Sequence, residues 1–197
     1  MKRTIILSII SILLIGAILI GTSFALKDIT EANAQAEHLK LMQTLLPGSK
    51  EFTLEPYTGE DANIRSVHKG ENGFVIETVT YGYAGQITML IGVSNEGKVV
   101  GLTVRDMSET YGLGFNAMTD HVFLSQFLNS DGSFAIGTAG EDAFSGATGT
   151  TSTDADTYVD GITGATVTSK AIVRCVNSAI AYVTGADVDS GATSWGG

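Results

Sequence analysis

The segment from Thr4 to Leu26 most strongly limits the folds that this chain can adopt. It contains no charged residue and consists mainly of isoleucine and leucine. A helix needs about 20 consecutive apolar residues to cross the hydrocarbon core of a bilayer. The segment therefore predicts a transmembrane helix, and any globular fold must be built from the residues that follow it.

The charges on either side of this segment predict its direction in the membrane. Lys2 and Arg3 precede it, whereas Asp28 and Glu31 follow and dilute the single Lys27. Positive flanks stay on the cytoplasmic side. We expect a single-pass protein of the cell membrane with a cytoplasmic N-terminus and an extracytoplasmic domain.

A cleaved signal peptide is the alternative interpretation of the same segment. Ser23-Phe-Ala25 has the small-x-small spacing of a cleavage site. The apolar run is, however, longer than the roughly 7–15 residues of a signal peptide. A retained anchor is the favoured prediction, and cleavage stays open.

Charge and cysteine content exclude several classes of function. The formal net charge of −10 argues against binding of nucleic acid, which needs clustered lysine and arginine. The single cysteine, Cys175, cannot form an internal disulfide or a Cys-ligated iron–sulfur cluster. It lies on the apolar face of a helical pattern in Ser169–Val183, which predicts a buried packing residue. Any redox chemistry would need an organic cofactor.

Residue patterns behind the anchor predict a small α+β domain: a mostly antiparallel sheet with flanking helices, preceded by the transmembrane helix. The turn signals Ala84-Gly85 and Asn95-Glu-Gly97 join the predicted strands into a meander. The predicted elements are a helix over Thr30–Leu46, strands over Phe74–Tyr83, Gln86–Ser94 and Lys98–Arg105, and a helix over Asp120–Leu128.

Composition divides the chain into three parts. Residues 1–28 form the cytoplasmic N-terminus and the anchor, residues 29–184 the extracytoplasmic domain, and residues 185–197 a flexible tail. Within the domain, residues 129–157 are rich in glycine, serine, threonine and aspartate, which predicts a surface excursion of low order.

The segment Asp160–Ser169 combines hydroxyl residues with two small residues, Gly164 and Ala165, just before a predicted helix that begins near Ser169. Small residues allow close approach of a phosphate, and the amides at a helix N-terminus favour an anion. An ordinary cap, with Thr168 or Ser169 capping the first turn, explains the same residues. The pattern alone leaves both interpretations open.

The run Thr163-Gly-Ala-Thr-Val-Thr168 resembles the flavinylation motif of FMN-binding domains, Ser/Thr-Gly-Ala-Ser/Thr-x-Ser/Thr. The resemblance implies that a flavin transferase attaches FMN through a phosphodiester to the final hydroxyl, which is Thr168. Thr166 and Ser169 are the neighbours that could be confused with it. Asp160 corresponds to the acidic residue that leads the motif.

A second run, Ser108-Glu-Thr-Tyr-Gly-Leu-Gly114, resembles the Glu-Thr-Pro-Gly-Leu-Gly loop of G subunits of Rnf complexes and of C subunits of sodium-pumping NADH:quinone oxidoreductases. Tyr111 stands where that family has proline. The resemblance implies that this loop surrounds the flavin ring. The ring-contact residues that it implies are Glu109, Thr110, Gly112, Leu113 and Gly114.

Together the two motifs imply an electron-transfer subunit of an ion-translocating oxidoreductase of the Rnf type, with the other subunits and a flavin transferase as partners. Such a subunit relays electrons through FMN, does not bind NAD and turns over no substrate of its own. Two alternatives stay open: a stand-alone membrane-tethered flavoprotein of another reductase chain, and a non-redox surface protein.

The motif spelling recurs at Ser145–Thr150, and more weakly at Ser190–Ser194. No amphipathic helix follows Thr150, so Thr168 is the preferred attachment site and Thr150 a possible second one. No metal is predicted, because His38, His68 and His121 fall in separate segments and the aspartates of residues 154–160 lack the EF-hand pattern.

Overall fold

The computed structural model describes residues 14–17, 21, 32–112, 114–137 and 156–186. The chain divides into two compact units, Met1–Leu41 and Met42–Gly197. Most of the predicted anchor, Thr4–Leu26, lies outside the described residues. Among the residues that are described, no helix is both long and apolar enough to span a bilayer. Helix α1 covers residues 32–45, close to the predicted Thr30–Leu46.

A five-stranded antiparallel sheet, with its strands in sequence order, forms the centre of the second unit. Three of its strands confirm the predicted meander, with small differences at their ends. Two earlier strands were not predicted, because their residues alternate only weakly between apolar and polar. The strands are β1 (Thr53–Glu55), β2 (Ile64–Lys69), β3 (Gly73–Tyr81), β4 (Gln86–Ser94) and β5 (Val99–Met107).

One face of this sheet packs against the long helix α4 (Thr166–Thr184). Every residue of β4 from Ile87 to Val93 is buried, as expected of a central strand that is covered on both faces. Cys175 is fully buried in α4, which confirms its predicted packing role, and burial raises the pKa of its thiol. The large side chains of this core include Ile76, Met89, Ile91, Phe127, Ile172 and Val176.

The opposite face of the sheet receives the end of α1. Gly92 of β4 and Gly101 of β5 are direct partners in the ladder. A Cβ atom at either position would collide with the main chain of Leu45. The two glycines therefore let the backbone at the end of α1 lie directly on the sheet, where Leu45 and Leu46 are buried.

Two short helices follow β5: α2 (Gly114–Thr119) and α3 (His121–Ser125). The side chain of Asp120 caps α3 by accepting hydrogen bonds from the amides of Val122 and Phe123. The predicted helix Asp120–Leu128 begins correctly but ends earlier, since the chain turns after Ser125 and reaches a left-handed conformation at Asn129.

A second, two-stranded parallel sheet pairs β6 (Phe134–Ile136) with β7 (Thr157–Val159). Strand β6 lies within the predicted excursion 129–157, where no regular structure was expected, and β7 begins at its last residue. Phe134 is buried, and the side-chain amide of Asn177 in α4 bonds both its N–H and its carbonyl, each at 2.9 Å. Three-residue strands leave no periodicity in a sequence. Residues 138–155, which connect them, lie outside the described residues.

Candidate functional site

The motif residues lie at the start of α4, which begins at Thr166, three residues earlier than predicted. Ala165 is the N-cap, and it makes no side-chain capping bond. Neither Thr168 nor Ser169 caps the helix, so the capping interpretation is wrong. The Ser169 hydroxyl instead accepts a hydrogen bond from the amide of Ile162 at 3.2 Å. Thr166 and Thr168 thus belong to the first helical turn, where amides point out of the helix end.

The turn before α4 is fixed by Gln126, the residue that follows α3, and by its own backbone. The side chain of Gln126 bonds both the N–H of Asp160, at 2.8 Å, and its carbonyl, at 3.2 Å. The amide of Ala165 donates to the carbonyl of Ile162, and Gly164 adopts a positive φ of 81°. The motif therefore enters the helix in a defined conformation.

The hydroxyl of Thr168 faces a carboxylate. Thr168 is 1 % exposed, and its Oγ1 donates a hydrogen bond to Oε2 of Glu109 at 3.1 Å. By contrast, Thr163, Gly164 and Thr166 are exposed to solvent. The structure thus joins the two sequence motifs through Glu109 and Thr168, which are 59 residues apart, at the threonine that the resemblance identifies.

Glu109 is held from its other side by the β3–β4 hairpin. Its Oε1 accepts a hydrogen bond from the amide of Ala84 at 3.2 Å. Gly82 lies so close that a Cβ atom there would collide with this carboxylate. The hairpin is tied to α4 in turn, since Arg174 donates to the carbonyl of Tyr81 at 3.1 Å. Glu109 therefore bridges the sheet and the first turn of α4.

The rest of the second motif divides into an exposed and a buried part. Thr110, Tyr111 and Gly112 are exposed, whereas Gly114 is buried beside Thr168. A Cβ atom on Gly114 would lie 2.7 Å from Oγ1 of Thr168. The predicted ring contact Leu113 lies outside the described residues. The loop thus places backbone directly over the threonine hydroxyl and leaves its tip open to solvent.

An open cavity of about 420 Å³ lies beside this loop, lined by Ala84, Met107, Ser108, Glu109, Thr110 and Phe115. Its volume is within the range of small-molecule sites, which is about 300–1,000 Å³. The side chains of Tyr81, Tyr83 and Tyr111 are 70 %, 76 % and 83 % exposed on the adjoining hairpin and loop. Exposed aromatic rings beside a cleft suit stacking with a flat ring.

These features fit a phosphorylated, aromatic ligand. The uncapped first turn of a 19-residue helix offers amides and a positive dipole end to an anion. The cavity beside Glu109 offers room for a ring. Within the described ranges, no three histidine, cysteine, aspartate or glutamate side chains are grouped to hold a metal ion. The motif copies at 145–150 and 190–194 lie outside those ranges.

Sequence reasoning missed three contributors to this geometry: Gly82, Ala84 and Gln126. Gly82 and Ala84 contact the carboxylate of Glu109, and Gln126 bonds the backbone of Asp160, so each contact joins segments distant in sequence that no local pattern marks. The signal that was present is indirect: Ala84 falls in the predicted hairpin turn, and Gly82 lies between Tyr81 and Tyr83 at the end of the strand predicted over Phe74–Tyr83.

Comparison with known sequences decides the family. The profile of the FMN-binding domain matches residues 82–181, which include the hairpin turn, the loop and most of α4. The chain belongs to the FMN-binding domain family. Membership supports FMN as the cofactor, in agreement with the resemblance of both motifs.

Relatives of this FMN-binding protein are named as G subunits of ion-translocating complexes. It is 32 % identical to the G subunit of the ion-translocating oxidoreductase complex of Methanosarcina acetivorans, over 76 % of this chain and 77 % of that one. It is 34 % identical to the G subunit of the Na⁺-translocating ferredoxin:NAD⁺ oxidoreductase complex of Acetobacterium woodii, over 55 % of this chain. That second alignment covers 47 % of the Acetobacterium protein. The corresponding G subunit of Pseudomonas aeruginosa is 28 % identical over 92 % of this chain and 87 % of its own length.

Proposed function

We propose that this chain is the G-type electron-transfer subunit of an ion-translocating oxidoreductase complex, and that it carries FMN covalently on Thr168 through a phosphodiester. The observation that carries the proposal is the placement of the Thr168 hydroxyl in the first turn of α4, bonded to the Glu109 carboxylate of the second motif. The relatives named as G subunits of such complexes support the assignment.

The residues around Thr168 would hold the FMN phosphate and ring at different places. The amides of Thr166 and Val167 at the helix end suit the phosphate. The cavity walls formed by Glu109, Thr110 and Phe115 suit the ring. FMN supplies one- and two-electron chemistry, and the protein positions it and controls solvent access. The covalent link keeps the cofactor from being lost outside the cell.

The partners follow from the same assignment. The other subunits of an Rnf-type complex would deliver and accept electrons, and a flavin transferase would attach FMN during maturation. The chain itself would neither bind NAD nor turn over a substrate. We place the chain in the cell membrane because Thr4–Leu26 is uncharged and long enough to span it. In this arrangement residues 1–28 are the cytoplasmic N-terminus and anchor, residues 29–184 the extracytoplasmic domain and residues 185–197 the tail.

Replacement of Thr168 by valine tests the proposal, because valine has the shape of threonine but no hydroxyl. Membranes from cells that make the complete complex and the transferase would be run on denaturing gels and examined for flavin fluorescence. The same membranes would be assayed for ferredoxin-dependent reduction of NAD⁺. We expect Thr168→Val to lose both signals.

The matched control is Thr150→Val, which alters the other copy of the motif and should keep both signals. A fluorescent band that survives Thr168→Val would contradict attachment at that residue. Loss of the band with full retention of NAD⁺ reduction would contradict the relay role instead.

A further inference from the structure

The contact between Thr168 and Glu109 has a chemical consequence for the attachment reaction itself. To form a phosphodiester, the threonine hydroxyl must lose its proton while its oxygen attacks phosphorus. A general base has to lie within about 2.6–3.2 Å of the hydroxyl oxygen to take that proton. Oε2 of Glu109 accepts from Oγ1 of Thr168 at 3.1 Å.

We propose that Glu109 is the general base that activates Thr168 for flavinylation, so that this chain supplies a catalytic group for its own modification. This inference rests on the proposed function, since it concerns the same attachment site. The co-reactant is a flavin dinucleotide presented by the transferase, in which the FMN phosphorus carries a phosphoanhydride.

In the attachment step, the hydroxyl proton of Thr168 passes to Oε2 of Glu109 as Oγ1 bonds to the FMN phosphorus. The bond from that phosphorus to the bridging oxygen breaks, and its electron pair leaves with the nucleoside monophosphate. The first-turn amides of α4 are placed to stabilise negative charge that develops on the phosphoryl oxygens.

Glu109 is suited to this role because it is anchored independently of the threonine. The Ala84 amide holds Oε1, and the close approach of Gly82 limits movement of the carboxylate. Ser108, its chain neighbour, donates from its amide to the carbonyl of Gln86 at 3.1 Å. The base is therefore fixed to the edge of the sheet.

The same contact explains which hydroxyl of the motif is modified. Thr163 and Thr166 are exposed, and no hydrogen bond joins their hydroxyls to a carboxylate of a described residue. Ser169 is as buried as Thr168, but its hydroxyl accepts from the amide of Ile162 and has no carboxylate partner among the described residues. Among these four, Thr168 is the residue whose hydroxyl donates to a carboxylate.

Steady-state flavinylation kinetics of purified full-length protein test the inference. The concentration of the chain would be varied in reactions with a flavin transferase and FAD. The amount of adduct would be followed by intact mass spectrometry. In Glu109→Gln one side-chain oxygen remains to accept the hydrogen bond of the Ala84 amide, and the NH2 group that replaces Oε2 cannot accept the proton of Thr168. We expect kcat for attachment to fall about 100-fold, with KM for the chain unchanged, since general bases contribute at least that factor.

The control is Asp106→Asn, which removes an exposed carboxylate from the nearby end of β5 without touching Thr168. This variant should have the same kcat and the same KM for flavinylation as the parent. Rates would be measured at a temperature at which circular dichroism shows every variant to be folded. An unchanged kcat in Glu109→Gln, or a raised KM alone, would overturn the inference. Failure of the parent protein to acquire FMN would instead overturn the proposed function.

Discussion

Four hydroxyl side chains lie in the motif segment, at Thr163, Thr166, Thr168 and Ser169, and they differ in burial and in hydrogen-bond partners. The first two face solvent, and the last accepts a backbone hydrogen bond in the turn. Thr168 is buried, bonded to Glu109 and covered by the backbone of Gly114. Burial, a carboxylate partner and a helix end therefore coincide at one residue.

Replacement of Gly114 by alanine tests this close packing. The added Cβ would collide with Oε2 of Glu109 and would lie 2.7 Å from Oγ1 of Thr168, so the bond between these two side chains must break or the backbone must shift. Such overpacking costs about 1–3 kcal/mol. We expect the free energy of unfolding of Gly114→Ala, measured by urea denaturation, to fall by about this amount.

Gly112→Asn is the comparison for that experiment. Gly112 has a positive φ of 85°, which asparagine tolerates, and no atom lies within 4 Å of its added Cβ. Only the strain of the positive φ opposes this change, so its unfolding free energy should fall less than that of Gly114→Ala. Equal stability of Gly114→Ala and the parent would show that the loop does not pack on Thr168.

The elements that sequence reasoning predicts well are those with long, regular patterns. Strands β3, β4 and β5 have nine residues each, are rich in β-branched side chains and are separated by turn signals. Strands β1, β6 and β7 have three residues each and depend on partners elsewhere, such as Asn177 for β6. Tertiary contacts, which a local pattern does not record, decide such elements.

The start of α4 shows a different limit. Thr166, Val167 and Thr168 are weak helix formers, and Ala165 offers no capping side chain, so the pattern predicts a later start. The structure nevertheless places all three in the helix. A first turn that is poorly stabilised by its own sequence is consistent with a helix end reserved for a ligand.

The anchor is a prediction at the scale of one element. If Thr4–Leu26 is a retained transmembrane helix, the full-length protein stays in the membrane fraction after a carbonate wash and keeps its original N-terminus. Intact mass and N-terminal sequencing of the purified protein measure this. A mature N-terminus near Leu26, with the domain released from the membrane, would show that the segment is a cleaved signal peptide.

At the scale of the molecule, the candidate site is assembled from segments that are far apart in the chain. The hairpin turn at 82–85, the loop at 108–112 with Gly114, and the start of α4 meet around one carboxylate. The resemblance of both motifs identified the loop and the helix, and the family comparison confirmed FMN-binding membership. The contribution of the hairpin and of Gln126 could not be predicted, because it consists of contacts to backbone atoms.

The central claim is that Thr168 carries FMN, and peptide mapping of full-length protein made together with a flavin transferase tests it most directly. Trypsin leaves Thr150 and Thr168 on one peptide, because the chain has no lysine or arginine between Arg105 and Lys170. Cleavage before aspartate separates them and yields a peptide of residues 160–186. We expect this peptide to gain the mass of FMN less water, with fragment ions that place the adduct on Thr168. An adduct on Thr150, on Thr166 or on Ser169, or an unmodified peptide, would contradict the account.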